Sequence, residues 1–129
     1  MKLTDDVYVL QVPRGANNLG NPLNLTLILD EQHGPTLVDA ALPDQMETIE
    51  ATLAEAGIEA RDLERIIITH QDLDHIGSAA ALVRESGARV LAHPEDVPYI
   101  EGDRRIIKLT PELLEQRPQM REMLGRIDI

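Results

Sequence analysis

The sequence predicts an α/β fold in which helices flank a mixed β-sheet. Short runs of aliphatic and β-branched residues alternate with loop residues, and two segments with helical apolar spacing come after the third run. The chain has 129 residues, which suits a single domain. Two predicted strands, residues 25–29 and 66–68, are apolar at successive positions. Because a strand with one wet face alternates, this sheet is expected to be covered on both sides.

The first three strands precede the first helix. Residues 7–12 have the β-branched and aromatic content of a strand, which Pro13 ends. A long loop then leads to a nearly all-apolar second strand, residues 23–30. A turn at residues 31–35 separates it from a third strand, residues 36–38. This short spacing predicts an antiparallel hairpin.

The second half of the pattern predicts a β-α-β unit. The first helix is expected to begin at Pro43 and to end at Gly57, with Met46, Ile49 and Leu53 forming its apolar stripe. A fourth strand at 66–69 is followed by a helix that Gly87 ends and by a fifth strand at 89–92. Strands four and five should therefore be parallel with a right-handed crossover. Thr110 and Pro111 open a last predicted helix.

Composition and charge exclude several classes of function. Net charge is −11, and the only aromatic residues besides histidine are two tyrosines, so nucleic-acid binding is disfavoured. No run approaches the ~18 apolar residues of a membrane span. The N-terminus is too acidic for a signal peptide, so a cytoplasmic location is predicted. The chain has no cysteine and hence no thiolate metal site.

The strongest candidate site follows the fourth strand. His70, Asp72, Asp74 and His75 are four potential metal ligands within six residues. In open α/β sheets, ligands bind at the carboxyl ends of strands. Imidazole and carboxylate donors suit zinc, iron or manganese. The first three occupy alternate positions of an extended loop, so their side chains could point to the same side and approach one metal. His75 would reach the same place from the start of the helix. Alternatively, the two carboxylates only cap that helix.

Three other polar residues are weaker candidates for a functional role. Asp39, at the end of the third strand, could cap the first helix or support the site by contacting a ligand. Both roles remain open from the sequence. His33 lies in a polar turn and is expected to be exposed and idle. His93, before Pro94, is expected to be structural.

The segment Thr69-His70-Gln71-Asp72-Leu73-Asp74-His75-Ile76-Gly77 resembles the metallo-β-lactamase superfamily signature, Thr-His-x-His-x-Asp-His-x-Gly. Residues 24–29, 36–43 and 90–95 resemble neighbouring segments of that family in the same order, so the resemblance covers roughly residues 7–100. It implies two metal sites: His70 belongs to the first, and Asp74 and His75 to the second. Asp72 stands where the family has a histidine, and a carboxylate there favours harder metals.

The resemblance also implies an architecture and a length. Family members are usually nearly twice as long and pack two similar halves sheet to sheet in an αββα sandwich. This chain looks like the N-terminal half alone, residues 1–129. The second sheet face would then expose an apolar patch, so self-association is expected. We predict a homodimer through that face, in which one copy substitutes for the missing half of the other.

The implied function is metal-dependent hydrolysis of a small-molecule substrate. A metal-activated water would attack an ester, thioester, amide or phosphoester. His70, Asp72, Asp74 and His75 would hold a divalent metal, zinc before iron or manganese, and Asp74 would also orient the water. The 129-residue chain itself is expected to bind metal weakly and to show little or no activity. The alternative is a non-catalytic fragment or association module without metal.

Overall fold

The computed structural model describes residues 1–14, 21–101 and 111–116. Five strands form one sheet, and the helical segments lie between and after them. The strands are β1 Val7–Val12, β2 Leu23–Asp30, β3 Gly34–Val38, β4 Arg65–Ile68 and β5 Arg89–Ala92. The α-helices are α1 Met46–Glu55, α2 Leu73–Ile76, α3 Ala79–Ser86, α4 Val97–Ile100 and α5 Pro111–Gln116, and a single 3₁₀ turn covers Ala60–Asp62.

The sheet is mixed, as predicted. Its strands lie in the order β1-β2-β3-β4-β5. The β1–β2 and β2–β3 pairs are antiparallel, and the β3–β4 and β4–β5 pairs are parallel. The β2–β3 hairpin and the parallel β4–β5 pair are therefore confirmed. Parallel pairing of β3 with β4 is what brings two strand ends to one edge of the sheet.

One face of the sheet carries the hydrophobic core. Its side chains pack beneath α1 and α3 and are almost wholly buried, as are the apolar residues that those helices turn inward. The core residues of the strands are Leu10, Val12, Leu25, Leu27, Leu37, Ile66 and Ile68, and those of the helices are Ile49, Leu53 and Leu82. Aliphatic chains alone thus build the core, in keeping with the aromatic-poor sequence.

The second face carries one largely apolar row of half-buried residues at its centre, next to polar positions such as Arg65 and Arg89. The row runs straight across the sheet through Val9, Thr26, Val38, Ile67 and Leu91, each paired with the next. All five are of intermediate burial. The predicted double-faced apolar character is therefore present in this central row.

Helix boundaries differ from prediction mainly at α1. The helix begins at Met46 rather than at Pro43, because residues 42–44 form a turn whose Asp44 has a φ of +60°. The helix ends at Glu55, and Gly57, at φ +80°, takes the left-handed conformation just beyond it. Gly87 ends α3 in the left-handed conformation, as predicted. Thr110, the expected cap of α5, lies outside the described residues.

Candidate metal and active site

The site lies where β3 and β4 end side by side. Val38 pairs with Ile67 in parallel register, so Asp39 and Thr69 emerge at the same edge of the sheet. The backbone N–H of Asp39 donates to the carbonyl of Ile67 at 2.8 Å and continues the ladder by one residue. The apolar strands thus fix the spacing of the two loops that follow them, 39–45 and 69–78, the second of which contains the short helix α2.

Backbone hydrogen bonds tie the two loops together. Ala40 N–H donates to the carbonyl of His75 at 2.7 Å, and Gly77 N–H donates to the carbonyl of Ala41 at 2.8 Å. A Cβ on Gly77 would overlap with backbone atoms of Leu42 and Pro43, so only glycine permits this approach. The position of His75 is therefore set by the loop after β3.

The carboxylate of Asp39 contacts both Thr69 and His75. Its Oδ1 accepts from the Thr69 backbone N–H and hydroxyl, both at 2.9 Å. Its Oδ2 lies 3.0 Å from His75 Nδ1. The capping position of α1 is held by Gln45, without a side-chain cap. Of the two roles left open by the sequence, the geometry favours support of His75.

Contact with Asp39 orients the imidazole of His75. When Nδ1–H donates to the carboxylate, Nε2 keeps its lone pair and faces outward, which is the usual arrangement behind a metal-binding histidine. His75 Nε2 lies 3.6 Å from Oδ1 of Asp74. The other oxygen, Oδ2 of Asp74, lies 3.6 Å from Nη1 of Arg14. Asp74 and His75 thus present one oxygen and one nitrogen to the same space.

His70 and Asp72 form a second pair. Asp72 N–H donates to His70 Nδ1 at 3.0 Å, and Asp72 Oδ1 lies 3.3 Å from the same nitrogen. The His70 and His75 ring centroids are 5.7 Å apart. Asp72 is the residue before α2, but its side chain makes no capping hydrogen bond. Asp74 lies in the first turn of α2, where the helix dipole also stabilises a carboxylate, as the capping alternative expects.

The predicted ligands lie near one another but are arranged as two pairs. Among the described residues, no group of three or more His, Asp or Glu side chains stands ready to hold a metal ion. The expected alternation of residues 70, 72 and 74 does not extend past Asp72, because α2 begins at Leu73 and rotates the chain helically. The donor types and the orientation of His75 fit a divalent metal. His70 Nδ1, by contrast, is already occupied, because it accepts a hydrogen bond from the backbone N–H of Asp72.

A cavity of about 290 Å³ opens beside Asp74 and His75. Its remaining lining comes from Arg14, Pro22, Leu23, Asn24, Leu25 and Asp39. Sequence reasoning overlooked Arg14 and Asn24. The available signal was a basic residue directly after a strand end in a strongly acidic chain. A larger groove of about 500 Å³ between α3, β5 and α4 is lined mainly by aliphatic residues and contains none of the predicted ligands.

The other two histidines lie elsewhere. His33 is exposed, as expected, and its Nδ1 lies 2.7 Å from Oδ2 of Asp30 within the β2–β3 turn. This contact lowers the pKa of the Asp30 carboxyl below its ordinary value of 3.8. His93 is also exposed, and its Nδ1 accepts from Glu95 N–H at 3.2 Å. That bond serves the local turn.

Comparison with known proteins places these features in context. Residues 20–126 match the family model of the metallo-beta-lactamase superfamily. Over 72 residues the chain is 31% identical to the probable metallo-hydrolase YflN of Bacillus subtilis, which corresponds to 56% of this chain and 27% of that protein. The chain thus spans well under half the length of this curated relative.

Solved structures share the fold. A subclass B3 metallo-beta-lactamase of Bradyrhizobium japonicum, BJP-1, superposes with a TM-score of 0.66 at 28% identity, covering 79% of this chain and 35% of that chain. The family protein TTHA1429 of Thermus thermophilus reaches a TM-score of 0.74 over 98% of this chain and 44% of that one; at 24% identity it supports the fold alone. In the described part of the chain, no helix has the length and hydropathy needed to cross a bilayer.

Proposed function

Because the chain belongs to the metallo-beta-lactamase superfamily, a family of metallo-hydrolases, we propose that it serves metal-dependent hydrolysis of an ester, thioester, amide or phosphoester in a small molecule. The observation that carries the proposal is the Asp39–His75–Asp74 arrangement at the ends of β3 and β4. A carboxylate behind a histidine and a second carboxylate beside it form a recurrent ligand set.

The proposed ligands are His70, Asp72, Asp74 and His75, with zinc as the first candidate and iron or manganese as alternatives. A divalent metal held there would polarise the scissile bond and make water acidic enough to attack near neutral pH. Within the chain, Asp39 fixes the tautomer and direction of His75. Asp74 Oδ1, facing the same space as His75 Nε2, would accept a hydrogen bond from the attacking water and orient it.

His70 and Asp72 require one adjustment for this role. While His70 Nδ1 accepts from Asp72 N–H, the neutral ring carries its proton on Nε2. Rotation of the ring away from the Asp72 N–H would free the lone pair of Nδ1 for a metal, and the ring would stay neutral. Asp72 in place of a histidine adds negative charge, which supports binding of a harder metal at this half of the site.

We further propose that these residues are the N-terminal half of such a hydrolase. The support is coverage, because the chain spans 35% and 44% of the two superposed structures. A half-site would bind metal weakly and turn over little, and a homodimer through the second sheet face could complete it. A cytoplasmic location stays a prediction from the sequence.

A second candidate function is a non-catalytic association module. The arrangement of the described ligands as two pairs, without a group of three, favours it. In that case Asp39, Thr69 and His75 serve only to join the two loops.

One experiment separates the two. The purified chain is dialysed against zinc, manganese or iron, its metal content is measured by mass spectrometry, and turnover is assayed on generic ester and phosphodiester substrates. Because half a site is expected to turn over little, the hydrolase proposal predicts bound metal with at most slow turnover, both abolished by His75→Ala. The matched control is His93→Ala, which removes an exposed histidine that only accepts a turn hydrogen bond. Absence of metal and of turnover under all three conditions supports the association module.

A further inference from the structure

We propose that Arg14 forms an anion-binding subsite beside the Asp74–His75 pair, so that the substrate carries a carboxylate or phosphate group next to the bond that is cleaved. That the bound anion is part of a substrate rests on the proposed function. That Arg14 binds an anion at all does not depend on it. Its basis is the placement of Arg14, the cavity it lines and the charge around it.

The position of Arg14 is fixed by the backbone. It follows Pro13, at the end of β1, and its Nε–H donates to the carbonyl of Asn21 at 2.8 Å. This bond spans the β1–β2 connection and directs the outer end of the guanidinium toward the site. Nη1 reaches to 3.6 Å from Oδ2 of Asp74.

Donor groups remain for a ligand. A guanidinium has five N–H donors in a fixed fork. Nε uses one, and the 3.6 Å contact of Nη1 with Asp74 exceeds hydrogen-bond distance. Nη2 has no polar contact within the described part of the chain. The side chain is 39% exposed, which leaves it open to solvent and to a small molecule.

Charge explains why an anion is the matching ligand. The chain carries a net charge of −11, and Asp39 and Asp74 line the same cavity. An anionic ligand would be repelled there without a local cation. Among the described residues lining this cavity, Arg14 carries the permanent positive charge. The planar fork binds carboxylate or phosphate by two parallel hydrogen bonds, which a lysine cannot reproduce.

Size and polarity are consistent with a small anion. The cavity of about 290 Å³ is lined by charged and polar residues, among them Arg14, Asn24 and His75, and by three apolar residues of the β2 segment. The Asn24 side chain is exposed and can donate a second hydrogen bond through its amide. A short chain bearing one anionic end would place its neutral bond against Asp74 and His75.

The test measures anion binding without turnover. Acetate, inorganic phosphate and neutral acetamide are titrated into ¹⁵N-labelled protein, once in EDTA and once with saturating zinc, and the Arg14 Nε–H and Asn24 amide signals are followed by NMR. The anions are expected to shift these signals, and acetamide is not. Tighter binding of acetate indicates a substrate with a carboxylate group, and tighter binding of phosphate indicates one with a phosphate group.

Variants isolate the side chain. Arg14→Gln is expected to weaken anion binding about tenfold, corresponding to about 1.4 kcal/mol, and Arg14→Lys to restore part of it. The matched control is Arg61→Gln, because Arg61 is an exposed arginine that pairs with Glu59 at another surface. Equal affinities in wild type and Arg14→Gln in both conditions, or equal shifts with acetamide, overturn the proposal. Arg14-dependent anion binding in a chain that binds none of the three metals sustains the subsite and counts against the hydrolase function.

Discussion

Asp39 combines an unfavourable backbone with the densest set of polar contacts at the site. Its φ of +68° lies in the left-handed region, which is uncommon for a residue other than glycine, although Asp and Asn tolerate it best. Its carboxylate makes three hydrogen-bond contacts with Thr69 and one contact with His75. A strained backbone conformation of this kind persists only where many surrounding contacts hold it in place. Residues with such strain cluster at functional sites.

Replacement of Asp39 by asparagine tests whether that carboxylate serves the metal site. An asparagine tolerates the same left-handed backbone but lacks the charge behind His75. We expect zinc affinity to fall about 10- to 100-fold, the usual effect of losing such a partner. Affinity is measured by competition with a chromophoric chelator.

The chain offers a matched control in Asp30→Asn. Asp30 also contacts a histidine, His33, but in an exposed turn away from the site. This variant should leave zinc affinity unchanged. An equal loss in both variants, or no loss in Asp39→Asn, would contradict the supporting role of Asp39.

Gly77 sets how closely the two loops can approach. An alanine there would drive its Cβ into the backbone of Leu42 and Pro43. Because backbone cannot move aside as a flexible side chain can, we expect Gly77→Ala to lower the free energy of unfolding by about 3 kcal/mol. Urea denaturation gives the value.

Gly57→Ala separates this contact from backbone strain. Gly57 has a φ of +80° but open space around it, so alanine there should cost only about 1 kcal/mol. Similar losses at the two glycines would show that close approach is not what requires glycine at position 77.

At the scale of elements, the β2–β3 turn carries its own pH dependence. Asp30 accepts from His33 and from Gln32 N–H, and the His33 hydrogen bond is the main cause of its lowered pKa. A lowered carboxyl pKa stabilises the folded state above the ordinary value of 3.8. That stabilisation is lost as the pH falls through the folded-state pKa.

His33→Ala is expected to raise the pKa of Asp30 back toward 3.8, because its largest stabilising contact is removed. The carboxyl ¹³C shift of Asp30 is followed by NMR as the pH is lowered. His93→Ala, which removes an exposed histidine of another turn, serves as control and should leave the titration unchanged. An Asp30 pKa that stays low without His33 would assign the shift to the Gln32 backbone instead.

Elements were predictable where one local signal sufficed. The five strands, the hairpin and the Gly87 helix end follow from apolar runs and turn residues, and each is found within one or two residues. The start of α1 was misplaced by three residues. Pro43 is compatible with a first helical turn, but the positive φ of Asp44 and the contacts of Gln45 with residues of other segments decide otherwise. Such distant contacts leave no local pattern in the sequence.

The sequence proposes the residues of the candidate site but not their arrangement. The motif singles out His70, Asp72, Asp74 and His75 because the signature is contiguous. Which of them pair depends on where α2 begins and on Asp39, thirty residues before Thr69. Arg14 was missed because it comes near Asp74 only through the folding of the sheet. The two residues are far apart in sequence, and no local motif links them.

At the scale of the whole molecule, the two sheet faces differ in how well they are covered. Rows on the helix side include Leu27, Leu37 and Ile66, which are fully buried. The opposite row, including Val9, Val38 and Ile67, is only half-buried. An apolar face of this kind is a candidate interface. It lies directly beside the site, because Val38 precedes Asp39 and Ile67 pairs with Val38.

We expect the chain to form a homodimer through this second face, with a sedimenting mass of twice 14.3 kDa at micromolar concentration. Ile67→Glu should yield a monomer, because a charge at the centre of the row cannot be buried without a partner. Val90→Glu is the matched control, since Val90 is 37% exposed on the helix side of the sheet and should leave the dimer intact. Circular dichroism checks that both variants fold, and Ile67→Thr, a milder change, replaces Ile67→Glu if that variant unfolds. A monomeric wild type would contradict the interface, as would dimers that dissociate equally in the two variants.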